Sequence, residues 1–269
     1  MLTLFPAKKV ITMNPSQPEA EAVLVEGDRI VEVGAIKNMR PWLDARPHQV
    51  NDSFSDHVIC PGFIDPHLHP SMAAVLLPME FITAMRWKMP WGTVEPTTTE
   101  EQFDQRARQL HAEKSPEEPL FIWGFHALWH GSMSKPRINS ISKDRPIIVW
   151  HRSFHELYMN DAALKMVKLN PEDVKPGAQI DFENGHFYET GLGLAISRLN
   201  PWILSPERFG EGLRRLKEVV HFGGHTTIGD MATGLFDFES EVSALNQVLE
   251  GEDVPFRTRL VAHGSYVRN

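Results

Sequence analysis

The chain has a single cysteine, Cys60, no excess of positive charge and no long hydrophobic run. One cysteine excludes an intrachain disulfide, and with it the cross-linked frameworks typical of small secreted domains. Lys and Arg total 27 against 35 Asp and Glu, a formal net charge of -8 with a pI near 5.9. Phosphate backbones are bound by basic surfaces, and no basic stripe offsets this deficit, so nucleic acid is not expected as a partner. No apolar stretch approaches the roughly 20 residues that cross a bilayer. The opening residues Met1 to Lys9 hold only a short apolar run broken by Pro6, unlike the basic start and longer apolar core of a secretory signal. These absences lead us to expect a cytoplasmic protein without a membrane partner.

What remains is a chain of 269 residues, 42% hydrophobic and 23% charged, enough for one large core and a small second domain. Short strands are predicted at Lys9 to Met13, Ala22 to Glu26 and Arg29 to Gly34, with Gly27 and Asp28 as the turn between the last two. A polar stretch with Pro41, Pro47, Asn51 and Asp52 then predicts a boundary near residue 60. Beyond it, buried-strand runs alternate with helical stretches, the pattern of a parallel sheet flanked by helices. The predicted strands are Gly62 to Asp65, Leu120 to Phe125, Pro146 to Trp150, Thr226 to Asp230 and Arg257 to Ala262. The clearest helices run from Thr99 to Glu113 and from Pro206 to Phe222, the second with Ser205 as N-cap and Gly223-Gly224 as its stop.

The chemistry concentrates in Pro61-Gly62-Phe63-Ile64-Asp65-Pro66-His67-Leu68-His69. Side chains alternate along a strand, so His67 and His69 share a face and their imidazoles can converge on one ion. Neutral imidazole suits zinc and similar divalent ions, and a catalytic site of that kind keeps a position open for water. The competing reading is two surface histidines near a loop.

Ala22 to Gly34, followed by this segment, resembles the amidohydrolase superfamily. Further matches, in order, are Trp123-Gly124-Phe125, Arg152 with Phe154-His155-Glu156 and then Asn160 and Ala162-Ala163-Leu164, and Gly224 with Thr226 to Met231. Together they resemble the subgroup that includes N-substituted formamide deformylases. The resemblance implies an α/β fold: a small N-terminal β-sandwich portion over residues 1–60, then a (β/α)8 TIM-type barrel over 61–269. It implies that His67 and His69 are metal ligands, with zinc as the leading ion, in a hydrolase of C-N bonds acting on a small-molecule substrate. It also implies a homodimer as one assembly. His155 falls on the family's His-X-X-X-X-Asn pattern and is expected to touch substrate or support the site. Glu189, in Gly185 to Gly191, matches an element that ends in Glu and is a candidate metal-bridging carboxylate; the alternative is a solvated hairpin residue. Asp230, at a strand end, is a candidate orienter of a ligand, against the alternative of a loop cap.

In barrels, C-terminal strand ends face the active site. His126, His151, His155 and His263 all follow predicted strands, although residues placed as His126, His130 and His151 are more often hydrogen-bonded barrel-mouth residues than ligands. His225 precedes its strand and belongs at the opposite face. Trp87, Trp91, Trp123, Trp129 and Trp150 could wall a pocket or pack in the core, and Met85 to Gly92 reads as a substrate lid or an ordinary long loop. About 209 residues follow residue 60, against roughly 250 in a typical eight-stranded barrel. No later His-rich strand end supplies the family's remaining ligands, so the barrel is expected to be incomplete, as in the N-terminal part of a longer enzyme. Two other readings stand beside the amide hydrolase: a non-catalytic half-barrel that binds a partner or assembles, and a ring deaminase with the same metal site.

Overall fold

A computed structural model describes residues 1–251 and 253–264. The chain divides into two compact units, Met1–Phe63 and Ile64–Asn269. The first is a five-stranded sheet. β1 (Leu2–Ile11) pairs antiparallel with β2 (Glu19–Glu26), which pairs antiparallel with β3 (Arg29–Gly34). β4 (His48–Val50) and β5 (Val58–Ile59) lie parallel to β1. Gly27 makes the β2–β3 turn with φ of 60°, a conformation open to glycine without a Cβ penalty. Leu2, Leu4, Ala22, Leu24 and Met39 form the core.

Two expectations are corrected here. The short apolar run at the N-terminus is the first half of β1, and the stretch read as a polar linker contains helix α1 (Ile36–Ala45). Pro41 lies inside that helix. It argues against a helix from sequence, yet a single proline six residues in costs one backbone donor, and Met39 packing into the core offsets the loss.

The second unit is α/β. Its elements are β6 (Phe63–Leu68, whose first residue belongs to the N-terminal unit), α2 (Pro70–Leu76), β7 (Glu80–Phe81), β8 (Trp87–Met89), β9 (Gly92–Val94) and α3 (Glu100–Glu113). Next come β10 (Leu120–Phe125), α4 (Ala127–His130), α5 (Lys135–Ile141), β11 (Ile147–His151), β12 (Glu156–Met159), α6 (Asp161–Met166), β13 (Ile180–Asp181) and β14 (His186–Tyr188). The described part closes with α7 (Thr190–Ile203), α8 (Pro206–Phe222), β15 (His225–Thr233), α9 (Phe238–Leu249) and β16 (Arg257–Ala262).

The predicted strands all form, but they do not share one sheet. β10 and β11 pair in parallel within a six-stranded sheet of order β13-β14-β12-β11-β10-β7, and its β12, β14 and β13 run antiparallel. β6 instead joins β15 and β16 in a separate three-stranded sheet of order β16-β15-β6. Strand-helix alternation is a local pattern and carries no information on which strands pair, so the single parallel sheet expected from it becomes two. Met85 to Gly92, read as a lid or an ordinary long loop, is largely taken up by the β8–β9 hairpin, braced by the ion pair between Arg86 and Glu95 at 2.7 Å.

β10 is buried at every position because both faces of its sheet are covered. Phe121, Trp123, Ile148, Trp150, Leu157 and Phe187 face a large core shared with α2 and α6 to α9. Leu120, Ile122, Ile147 and Val149 face a second core with α3 and α5. α2 and α8 approach until a Cβ at Gly212 would lie 1.9 Å from the Ala74 carbonyl oxygen, so only glycine fits there.

Asn160, part of the family-like motif, is a structural fastening. Its amide is fully buried and makes four hydrogen bonds: Oδ1 accepts from the Ile147 and Ala163 backbone N-H groups, and Nδ2 donates to the Ser142 and Arg145 carbonyls. It thus caps α6 and anchors the entry to β11. Asn160→Ala is expected to lower stability by about 3 kcal/mol, from a lost cap and several orphaned buried groups. Urea denaturation checks this; a loss within about 0.5 kcal/mol, the ordinary range of a neutral surface change, would contradict it.

Candidate functional site

β6 ends in the His-X-His pair. The Asp65 carboxylate accepts the His67 backbone N-H at 3.0 Å, which sets the turn at the end of the strand. Pro66 and Pro70 flank the pair, and Pro70 occupies the first position of α2, where a missing N-H costs nothing. His69 is the N-cap residue of α2, yet its side chain makes no capping bond. The two imidazoles meet edge to face, with ring centroids 5.1 Å apart. His67 is exposed, and the half-buried His69 has an Nδ1 shielded from solvent with no hydrogen-bond partner. A ligand nitrogen without its ion has this form, and among the described residues the buried His111 Nδ1, Trp123 Nε1 and Trp150 Nε1 are bare in the same way. The pair therefore fits a divalent metal by chemistry and placement. It supplies two donors, whereas catalytic zinc sites draw three from the protein. Among the described residues, no three of His, Cys, Asp and Glu are close enough together to hold an ion.

Glu189, expected as a bridging ligand, is paired elsewhere. Its carboxylate lies 3.2 Å from His155 Nδ1, and its backbone N-H donates to the His155 carbonyl at 3.0 Å. The structure thus brings together two residues singled out separately from sequence. Glu189 holds a φ of 44° and Phe154, next to His155, one of 64°. Non-glycine residues at positive φ are strained and gather at functional sites. No hydrogen bond or ion pair joins this couple to His67 or His69 among the described residues.

Asp230 does not end its strand, as expected, but lies three residues before the end of β15, at the irregularity in its pairing with β16. Its buried carboxylate accepts from the Thr233 hydroxyl at 2.7 Å and the Ala232 N-H at 3.0 Å. These bonds cap the bulge.

The other histidines divide by the use of their ring nitrogens. His130 is fully buried, accepts the His126 backbone N-H at Nδ1 and donates from Nε2 to the Thr97 carbonyl. Both nitrogens are committed, which fixes the neutral tautomer and makes the residue structural. His126 accepts from Leu128 N-H to cap α4. His186 stacks between Tyr158 and Tyr188 and contacts the Glu156 carboxylate at 2.5 Å. Glu156 also accepts from the Tyr158 hydroxyl and lies 3.7 Å from His151. This Glu-His-Tyr group on β11, β12 and β14 was not singled out from sequence, although Glu156 adjoins His155 and His186 is three residues from Glu189. Trp87, Trp123 and Phe81 pack ring to ring, and Phe154 touches Trp123 and Trp150. Trp91 and Trp129 are exposed.

Comparison with known proteins bears on the fold. No family model matches the chain. It is similar to the exoenzymes regulatory protein AepA of Pectobacterium carotovorum subsp. carotovorum, at 22% identity over 262 residues, 91% of this chain and 52% of that protein. Two solved structures resemble it: uncharacterized metal-dependent hydrolases from Pyrococcus horikoshii OT3 (TM-score 0.71, 17% identity) and Pyrococcus furiosus (TM-score 0.69, 16% identity). Each likeness covers 97% of this chain but only 48% and 50% of the other, so the chain spans about half the length of these relatives. At such identities the likeness establishes a shared fold. Among the described residues no helix is long and apolar enough to cross a membrane.

Burial lowers the pKa of His130 and of His151, the latter partly opposed by Glu156. The unfolded chain, with histidines near 6.5, then binds more protons than the folded one just below that value. Stability tied to these groups is therefore fully present above about pH 6.5 and lost as pH falls toward their folded values. Urea midpoints should drop between pH 7.5 and 5.5, and drop less in a variant carrying His130→Gln and His151→Gln. Equal drops in both proteins would refute the assignment.

Proposed function

We propose that the chain is part of a metal-dependent hydrolase of the amidohydrolase type, cleaving a C-N bond in an amide-like small molecule. The observation that carries this is the adjacent pair His67 and His69, in edge-to-face contact and with the bare His69 Nδ1, at the end of a strand in a fold shared with metal-dependent hydrolases. The three-stranded sheet β16-β15-β6 is read as a segment of a β/α barrel. When bound, a divalent ion, zinc by preference for imidazole, supplies polarisation of the substrate carbonyl and activation of water.

The chain's own residues then have separable tasks. His67 and His69 hold the ion through neutral imidazoles. The Glu189 carboxylate beside Nδ1 orients His155, leaving Nε2 to face a substrate. Asp230 keeps the end of β15 in shape. Phe154 packs against Trp123 and Trp150 and so ties the backbone beside His155 to the large core.

A second reading is favoured by one observation: the described residues bring together two ligands and not three. In it the chain is a binding or assembly module, with the exposed Ile64, Leu260 and Val261 as contact surface. Elemental analysis separates the two. The hydrolase reading expects about one equivalent of metal in the purified protein and its near-complete loss in His67→Ala/His69→Ala. Equal metal content in both, or none in either, would favour the module.

A further inference from the structure

Glu241, on α9, is a buried carboxylate that the proposed chemistry does not use. Five donors converge on it. Oε1 accepts the backbone N-H groups of Phe236 and Asp237, at 2.5 and 3.0 Å. Oε2 accepts those of Gly234 and Leu235 and, at 2.5 Å, the hydroxyl of Ser71. The four backbone donors are consecutive and follow immediately on Thr233, the last residue of β15. Ser71 is the second residue of α2, two beyond His69. One carboxylate therefore joins the chain leaving β15 to the chain leaving β6, the neighbouring strand that carries the histidines.

A buried carboxylate is weak evidence for stability, because an apolar residue of similar size serves a core as well or better. Its use here lies in direction. Short hydrogen bonds to an ionised oxygen are strong and geometrically demanding. Ser71 is held at a fixed point, and the backbone of His69, bound through its carbonyl to Ala73 N-H, turns with that first helical turn.

We propose that Ser71 and Glu241 are positioning residues for His69, holding its imidazole in the orientation that meets His67. The inference rests on the metal-ligand reading for its functional meaning, while its structural content is testable without metal. Ser71→Ala is the informative variant. Alanine favours the helix, and Oε2 keeps its two backbone donors, so the fold survives. In the metal-free protein, modification of His69 by diethyl pyrocarbonate, followed by peptide mass spectrometry, should accelerate three- to tenfold, while exposed His48 in the N-terminal unit is unaffected. Cobalt(II) titration, read by its visible absorption, should show a ten- to hundredfold weaker affinity, the usual effect of losing such support around a ligand. Glu241→Gln should move both readings the same way. A His69 modification rate within twofold of the parent would overturn the inference. Equal cobalt binding by the parent and by His67→Ala/His69→Ala would instead overturn the metal reading, with the His69 rate still deciding the positioning role.

Discussion

β15 can lie against β6 only because position 229 has no side chain: a Cβ there would sit 2.8 Å from the Pro66 carbonyl oxygen. Among the described residues, the side chains of β6 contribute little burial of their own. Phe63 and Ile64 are largely exposed, and Leu68 is the residue of this strand that packs against the large core. The strand that bears the histidines is thus secured by its backbone seam to β15 and by Glu241 beyond the strand ends, rather than by burial of its own side chains. That arrangement frees β6 to carry residues chosen for chemistry. It also makes the pair sensitive to small shifts in β15, because packed elements relay displacement instead of absorbing it.

The histidines show how ring nitrogens distinguish structure from function. In His130 both nitrogens bond to backbone, and burial stabilises the neutral form, so nothing remains to offer a ligand. His151 and His186 surround one carboxylate, Glu156, and are absorbed into interior strands of the six-stranded sheet. His69 has no such commitment, and His155 has one carboxylate partner on one side of its ring. A histidine with one nitrogen oriented and the other unused is the form suited to binding or proton transfer. His155 and Glu189 meet that description as a pair, which explains why both attract notice in the sequence while neither is joined to the His67-His69 end of the unit.

The strands were legible because their burial is uniform or alternating over short runs, as in Leu120 to Phe125, and the long helices because their starts are marked. Thr99 proves to be the N-cap of α3, accepting the Gln102 N-H; Ser205, read as an N-cap, occupies the cap position without making the bond. The sheet partition was not legible, since pairing depends on contacts between distant segments. His67 and His69 stand out by their spacing, but spacing alone fits two surface histidines equally well, and the family resemblance is what makes them candidate ligands. Glu241 was not, because an acidic residue in the first turn of a helix ordinarily reads as a solvated favourable charge. Its role depends on Ser71, 170 positions away. Asn160 was noticed for its motif, but only the four bonds around its amide show that the motif is a fastening.

The chemistry of the strand neighbouring β6 narrows where further ligands can come from. β15 runs directly beside β6, yet its one acidic side chain, Asp230, is turned inward and already bonded to Thr233 and Ala232. Releasing it would leave a buried hydroxyl and an N-H without partners, a cost of a few kcal/mol that coordination would first have to overcome. β16 supplies no His, Asp, Glu or Cys between Arg257 and Ala262. On the proposed metal-ligand reading, β15 and β16 therefore offer no uncommitted carboxylate to an ion on His67 and His69, and Asp65 on β6 already accepts the His67 N-H.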